Sequence, residues 1–125
     1  MAERKKILLV DDDPDILVLL EAKLKSHLDC DVVSTTHPSK VLQLTADEAP
    51  DLIVCDIDMD ERPGGRVAID LAGDDAGREV PFLFLSSLVK DHEVDEEGMV
   101  DGVWTMSKSS PMEEILARIS RILET

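Results

Sequence analysis

The chain has 125 residues, 43% hydrophobic and 33% charged, enough for about one domain that buries roughly two thirds of its unfolded surface. Its 13 basic and 28 acidic side chains give a net charge of -15, which argues against nucleic acid or an anionic membrane as a direct partner, because phosphate contacts need clustered Lys and Arg. A cation or a basic protein surface is the complementary ligand class, and with only Phe82, Phe84 and Trp104 aromatic the core must be aliphatic.

In chain order, Met1 to Lys6 is polar and the apolar run Ile7-Leu8-Leu9-Val10 is too short for a signal-peptide core, so neither export nor membrane insertion is expected. That run reads as a first buried strand ending in Asp11-Asp12-Asp13. Asp13 can cap a helix that begins at Pro14, with Asp15 at the positive end of its dipole. Ile16, Leu17, Leu20, Lys23, Leu24 and Leu28 then form its inward stripe.

Cys30 to Ser34 predicts a short second strand, and Pro38 opens a second helix whose stripe is Val41, Leu42, Leu44 and Ala49. Leu52-Ile53-Val54-Cys55, after a Pro50-Asp51 turn signal, predicts a strand buried on both faces that delivers Asp56 into the acidic segment Asp56 to Glu61. Cys30 and Cys55 fall in strands, where a free thiol behaves as a small buried hydrophobe, which fits a reducing cytoplasm. Pro63-Gly64-Gly65 breaks the chain before a third helix with Val67, Ala68, Leu71 and Ala72.

Pro81 to Leu85 is a further apolar strand ending in Ser86-Ser87, and the acidic segment from Val89 to Met99 is the place of a fourth helix. Val100 to Met106 predicts a fifth strand ending near Lys108. Ser110-Pro111-Met112-Glu113 has capping-box spacing before a last helix with Ile115, Leu116, Ile119, Ile122 and Leu123 inward. Five alternations of strand and helix imply one α/β domain over 1–125, with a parallel sheet, right-handed crossovers and helices on both faces.

In such a sheet Asp11, Asp12, Asp56, Ser86 and Lys108 all fall at the carboxyl ends of strands, hence on one edge. Three carboxylates crowded there repel unless a cation binds between them, and an all-oxygen set with one or two direct carboxylates suits Mg²⁺. Taken singly, each residue also has a bland reading. Asp11 and Asp12 fit a solvated turn, Ser86 a strand-end hydroxyl, Lys108 a solvated cation, and Asp91 to Glu97 a solvated helix face. His27, His37 and His92 are read as surface residues.

The joint pattern resembles the receiver domain of two-component response regulators over essentially the whole chain. The resemblance is carried by Leu9-Val10-Asp11-Asp12-Asp13-Pro14, by Pro50 through Asp56 with Met59 and Gly64, by Pro81 through Ser86, and by Lys108. The intervals are 44 residues from Asp12 to Asp56, 30 from Asp56 to Ser86 and 52 from Asp56 to Lys108. The resemblance implies a flavodoxin-like, doubly wound five-stranded sheet in the order 2-1-3-4-5. It implies that Asp56 accepts a phosphoryl group from a phosphohistidine on a sensor kinase or phosphotransfer protein, and that the chain catalyses only its own phosphorylation and dephosphorylation. Mg²⁺ would be held by Asp11, Asp12, Asp56 and the main-chain carbonyl of Asp58. Ser86 and Lys108 would bind the phosphoryl oxygens, with Ser86 as the switch, and the side chains of Asp58 and Leu88 would modulate hydrolysis. The output would reach a downstream protein, an effector domain outside this chain, or a second copy through helix four, strand five and helix five.

Three positions depart from the family pattern. Ser109 follows Lys108 where Pro is usual, Thr105 stands where an aromatic switch residue is usual, and Asp60 follows Met59 where Pro is common. The missing Lys-Pro pair and aromatic keep open a receiver-like interaction module that is not regulated by phosphorylation. Asp56-x-Asp58 also resembles the nucleophile pair of haloacid dehalogenase-type phosphatases, which place it after the first strand of a longer chain. An EF-hand reading of the same segment fails because Glu61 and Val67 occupy the Gly and Glu positions.

Overall fold

The computed structural model describes residues 4–56, 70, 73–74, 80–86, 99–100, 103–108 and 110–124. Strands β1 (Lys5–Val10), β2 (Cys30–Thr35), β3 (Leu52–Asp56), β4 (Phe82–Ser86) and β6 (Val103–Ser107) are mutually parallel, and a two-residue strand β5 (Met99–Val100) pairs antiparallel with β6. The sheet runs β2-β1-β3-β4-β6-β5, so its five parallel strands stand in the expected 2-1-3-4-5 order. The single strand predicted over 100–106 divides at its start. Val100 pairs antiparallel with Val103.

Apolar strands fully covered on both faces need helices on both sides, and the pleat sorts their side chains into two layers. Ile7, Leu9, Leu52, Val54, Leu83 and Leu85 face Leu17, Leu20 and Leu24 of α1 (Pro14–His27) and Ile115, Leu116, Ile119 and Ile122 of α3 (Met112–Leu123). Leu8, Val10, Ile53, Cys55 and Phe84 face the other way, against Val41 of α2 (Val41–Glu48). Cys30 and Cys55 are both buried and free, and they lie in these opposite layers, as the small apolar groups the sequence suggests.

Local chemistry sets the helix ends. Asp13 caps α1 by accepting a hydrogen bond from the Asp15 amide at 3.0 Å, and Pro14 occupies the first turn. A 3-10 turn, Pro38–Lys40, leads into α2, which ends at Ala49 in the left-handed region (φ 47) just before Pro50. On α2 the inward position one turn after Val41 is Thr45. Its hydroxyl is satisfied by donating to the Val41 carbonyl at 2.7 Å, whereas the predicted Leu42 is 37% exposed. Helix α3 starts at Met112 with Pro111 as N-cap and no side-chain cap bond; Pro111 contributes its carbonyl, which accepts from Glu114 and Ile115. The expected Ser110 cap is therefore shifted by one residue. Of the third predicted helix Asp70 is described, and it is helical, whereas Met99, at the end of the segment assigned to the fourth, lies in β5 and pairs with Trp104. Asp58, Met59, Asp60, Gly64, Leu88, His92 and Ser109 lie outside the described residues.

Candidate functional site

The sheet order reverses between β1 and β3, because β1 connects outward to β2 while β3 lies on its other side. A crevice opens beyond the carboxyl ends of strands at such a point. Asp11 immediately follows β1 and Asp56 ends β3, so the two carboxylates flank it. Strand alternation aims them: Asp11 continues the row Ile7-Leu9, Asp56 the row Leu52-Val54, and Lys108 the row Trp104-Met106, all on the α1/α3 side. Where those rows run out of helix to pack against, their next side chains are polar.

The three meet. Lys108 Nζ lies 3.0 Å from Asp11 Oδ2 and 2.9 Å from Asp56 Oδ2. Both carboxylates are nearly inaccessible, with 3% and 1% of their side-chain surface exposed against 22% for the lysine. Asp11 Oδ1 also accepts a hydrogen bond from the Asp13 amide at 2.9 Å, which fixes its orientation. Burial pushes the Asp11 carboxyl above its ordinary value, with the Asp13 amide and Lys108 opposing the rise and the Asp56 charge adding to it. For Lys108, burial alone would lower the ammonium's pKa, but its hydrogen bonds to Asp56 and Asp11 outweigh that and raise it. Lys108 is therefore a fixed cation.

Asp12 is exposed and completes a set of three carboxylates whose oxygens come within 4.8 Å of one another. One ammonium against three carboxylates leaves the cluster anionic, and hard oxygen donors on a half-open rim fit a divalent cation such as Mg²⁺. Asp58, whose carbonyl the resemblance adds to the ligand set, lies outside the described residues. Beside the cluster, burial pushes the Cys55 thiol up, with the Asp56 and Asp11 charges adding, so Cys55 is an inert packing group and not a rival nucleophile.

Ser86 ends β4 and is 2% exposed. It belongs to the row Phe82-Phe84-Ser86, one position beyond the Asp56↔Leu85 pair, and its carbonyl accepts from the Lys108 amide at 3.0 Å. Thr105 is 4% exposed and pairs with Phe84 across the strands. Ser107, unremarked in the sequence, is also buried and pairs with Ser86. A serine beside the lysine carries no linear signal, and only the β4/β6 register reveals it.

Among the described residues no helix is long and apolar enough to cross a membrane. The family model described as "Response regulator receiver domain" matches residues 7–120. The chain is 32% identical to the alkaline phosphatase synthesis transcriptional regulatory protein PhoP of Bacillus subtilis over 95% of its own length and 48% of that protein's. It is 31% identical to the probable transcriptional regulator ycf27 of Porphyridium aerugineum over 69% of its own length and 34% of the relative's. The chain thus spans a third to a half of the curated relatives it matches. Among solved structures, the BeF3-activated N-terminal receiver domain of Klebsiella pneumoniae RstA superposes with a TM-score of 0.80 at 30% identity, covering 97% of this chain and all of that one. The chemotaxis response regulator CheY4 of Vibrio cholerae shares the fold, with a TM-score of 0.80 at 19% identity, covering 96% of this chain and 99% of that one.

Proposed function

The chain belongs to the response regulator receiver domain family of two-component systems, and from that premise we propose that Asp56 accepts a phosphoryl group from a phosphohistidine of a sensor kinase or phosphotransfer protein. The observation that carries the reading is the Lys108 ammonium held between Asp11 and Asp56 at the carboxyl edge of the sheet. In the transfer, an Asp56 carboxylate oxygen forms a bond to phosphorus as the phosphorus–nitrogen bond breaks. The imidazole keeps the electron pair of that bond, and Asp56 becomes an acyl phosphate. Such a transition state spreads charge over the phosphoryl oxygens, so positioning and electrostatics supply most of the catalysis.

Lys108 then serves as the ready counter-charge for a phosphoryl oxygen, and Ser86 supplies a hydroxyl from the adjoining strand. Asp11, Asp12 and Asp56 would hold Mg²⁺, which when bound neutralises charge on the transferring group. The Asp13 amide, which donates to Asp11 Oδ1, fixes the orientation of that carboxylate. The acyl phosphate is read out by a downstream protein, by an effector segment, or by a second copy docking on the face that includes β6 and α3. PhoP and ycf27 are named as transcriptional regulators, which supports an effector role in gene control. The family match and the place of Asp56 after β3 favour this over a haloacid dehalogenase-type phosphatase. A phosphorylation-independent interaction module draws its support from Thr105 and Ser109, the missing aromatic and the missing Lys-Pro pair, whereas the carboxylates and the lysine are all in place.

Incubation with a small phosphodonor and Mg²⁺, followed by intact mass, tests the reading. One phosphoryl adduct on the wild type and none on Asp56→Asn is expected. A folded wild-type protein that gains no adduct with Mg²⁺ present would overturn it.

A further inference from the structure

Thr35, the last residue of β2, is buried, and its hydroxyl meets one backbone neighbour twice: it accepts from the His37 amide at 3.0 Å and donates to the His37 carbonyl at 3.4 Å. A threonine hydroxyl bonded to the amide two residues on closes a local turn. The peptide unit enclosed in that ring, Thr35 to Thr36, is the one whose carbonyl accepts from the Asp11 amide at 3.3 Å. The β1/β2 register ends at the Val10↔Thr35 pair, so this bond carries the ladder one residue further, to the first residue of the site. The far side of the ring is fixed as well. His37 is extended (φ -115, ψ 103), the geometry a following proline imposes, and its carbonyl also accepts from Lys40 at 3.0 Å in the 3-10 turn that leads into α2. The Asp11 side chain has its own two tethers, the Asp13 amide on Oδ1 and Lys108 on Oδ2. A divalent cation that displaces the ammonium removes one of them, which leaves the main-chain anchor to keep the carboxylate still.

We propose that Thr35 is a positioning residue for Asp11: its hydroxyl fixes the peptide plane that holds the Asp11 amide, and so keeps the Asp11 carboxylate in place for a divalent cation. The proposal rests on the reading of Asp11, Asp12 and Asp56 as Mg²⁺ ligands. Ligating carboxylates depend for their orientation on partners one bond further out. Thr35→Val keeps the size and branching of the side chain but removes the hydroxyl, whereas Thr35→Ser retains it. Thr45 supplies the control. It is also buried, and its hydroxyl bonds the Val41 carbonyl at 2.7 Å without joining any residue of the site.

The test is calorimetric titration with Mg²⁺ at fixed pH and ionic strength, with melting temperatures confirming that each variant folds. Thr35→Val is expected to raise the Mg²⁺ dissociation constant about two- to tenfold, the range one net hydrogen bond supports. Thr35→Ala should agree with it, Thr35→Ser should restore the wild-type value, and Thr45→Val should leave it unchanged. In the Asp11→Asn background Thr35→Val should add nothing, because its effect passes through that carboxylate. With a small phosphodonor, Thr35→Val should raise the Mg²⁺ concentration at half-maximal rate and leave the rate at saturating Mg²⁺ as in the wild type. A wild-type dissociation constant in folded Thr35→Val overturns the proposal, as does an equal loss in Thr45→Val or in the Asp11→Asn background. Each of these results leaves Mg²⁺ binding by the wild type intact. A wild type that takes up no Mg²⁺ would instead overturn the metal reading of the cluster and this proposal together.

Discussion

The ammonium of Lys108 sits 2.9 Å from Oδ2 of Asp56, close to the position a phosphoryl oxygen or a divalent cation must occupy to use that carboxylate. The lysine therefore both prepares the site and competes for it. Lys108→Met should tighten Mg²⁺ binding, since the cation no longer displaces an ammonium, while slowing phosphorylation for want of the counter-charge. Asp12→Asn should weaken Mg²⁺ binding with little change in the metal-free melt, because Asp12 is exposed. Thermal melts across a Mg²⁺ titration measure both, because a ligand bound only to the folded state adds about 1.4 kcal/mol per tenfold excess over its dissociation constant.

The pH dependence has opposite origins in Asp11 and Lys108. The folded pKa of Asp11 is raised by burial, so the folded protein binds that proton more tightly than the unfolded chain. Stability from this group is fullest below the unfolded value of 3.8 and declines as pH rises through the folded pKa. Asp11→Asn should thus stabilise the metal-free protein more at neutral pH than at acid pH, and Mg²⁺ should cancel the advantage. Lys108 is also raised, through its two carboxylate bonds. Its contribution is complete below the unfolded value of 10.5 and disappears as pH climbs through the folded pKa, a strongly alkaline window. Urea melts of wild type, Asp11→Asn and Lys108→Met across pH check both signs.

Packing on the two layers predicts unequal costs for truncation. Ile119 on α3 is fully buried against the sheet, and Ile119→Ala should cost about 2–5 kcal/mol. Val18 and Leu42, at 67% and 37% exposed, should change stability by about 0.5 kcal/mol or less when truncated. Denaturant midpoints at constant m-value distinguish the cases.

The cap of α1 is tied to the site. Asp13 accepts from the Asp15 amide through its side chain and donates its own amide to Asp11. Asp13→Ala should cost about 0.5–2 kcal/mol through the lost cap, whereas Asp13→Pro, which removes the amide, should in addition weaken Mg²⁺ binding. Comparing Mg²⁺-dependent melting shifts for the two variants separates the cap from the site.

The strands and the strand-end positions of Asp11, Asp56, Ser86 and Lys108 were legible because apolar runs flanked by acids and turn residues read as buried parallel strands, whereas the sheet order followed only from the family resemblance. The bridging of both carboxylates by Lys108 was not, since strand alternation says which row a residue joins but not where a long flexible side chain comes to rest. Leu42 looked inward because it is apolar, yet Thr45 holds the buried place by meeting its own backbone carbonyl. Ser107 escaped notice because its meaning lies in the residue across the strand. Pro111 rather than Ser110 begins α3, a one-residue difference that capping-box spacing alone cannot decide.

The central claim is that the nucleophile is the Asp56 carboxylate. Borohydride reduction of the phosphodonor-treated protein converts an aspartyl phosphate to homoserine, which peptide mass mapping then locates. The account predicts homoserine at position 56, dependent on Mg²⁺. Homoserine at position 11 or 12, or at no position in a protein that has taken up phosphate, would contradict it.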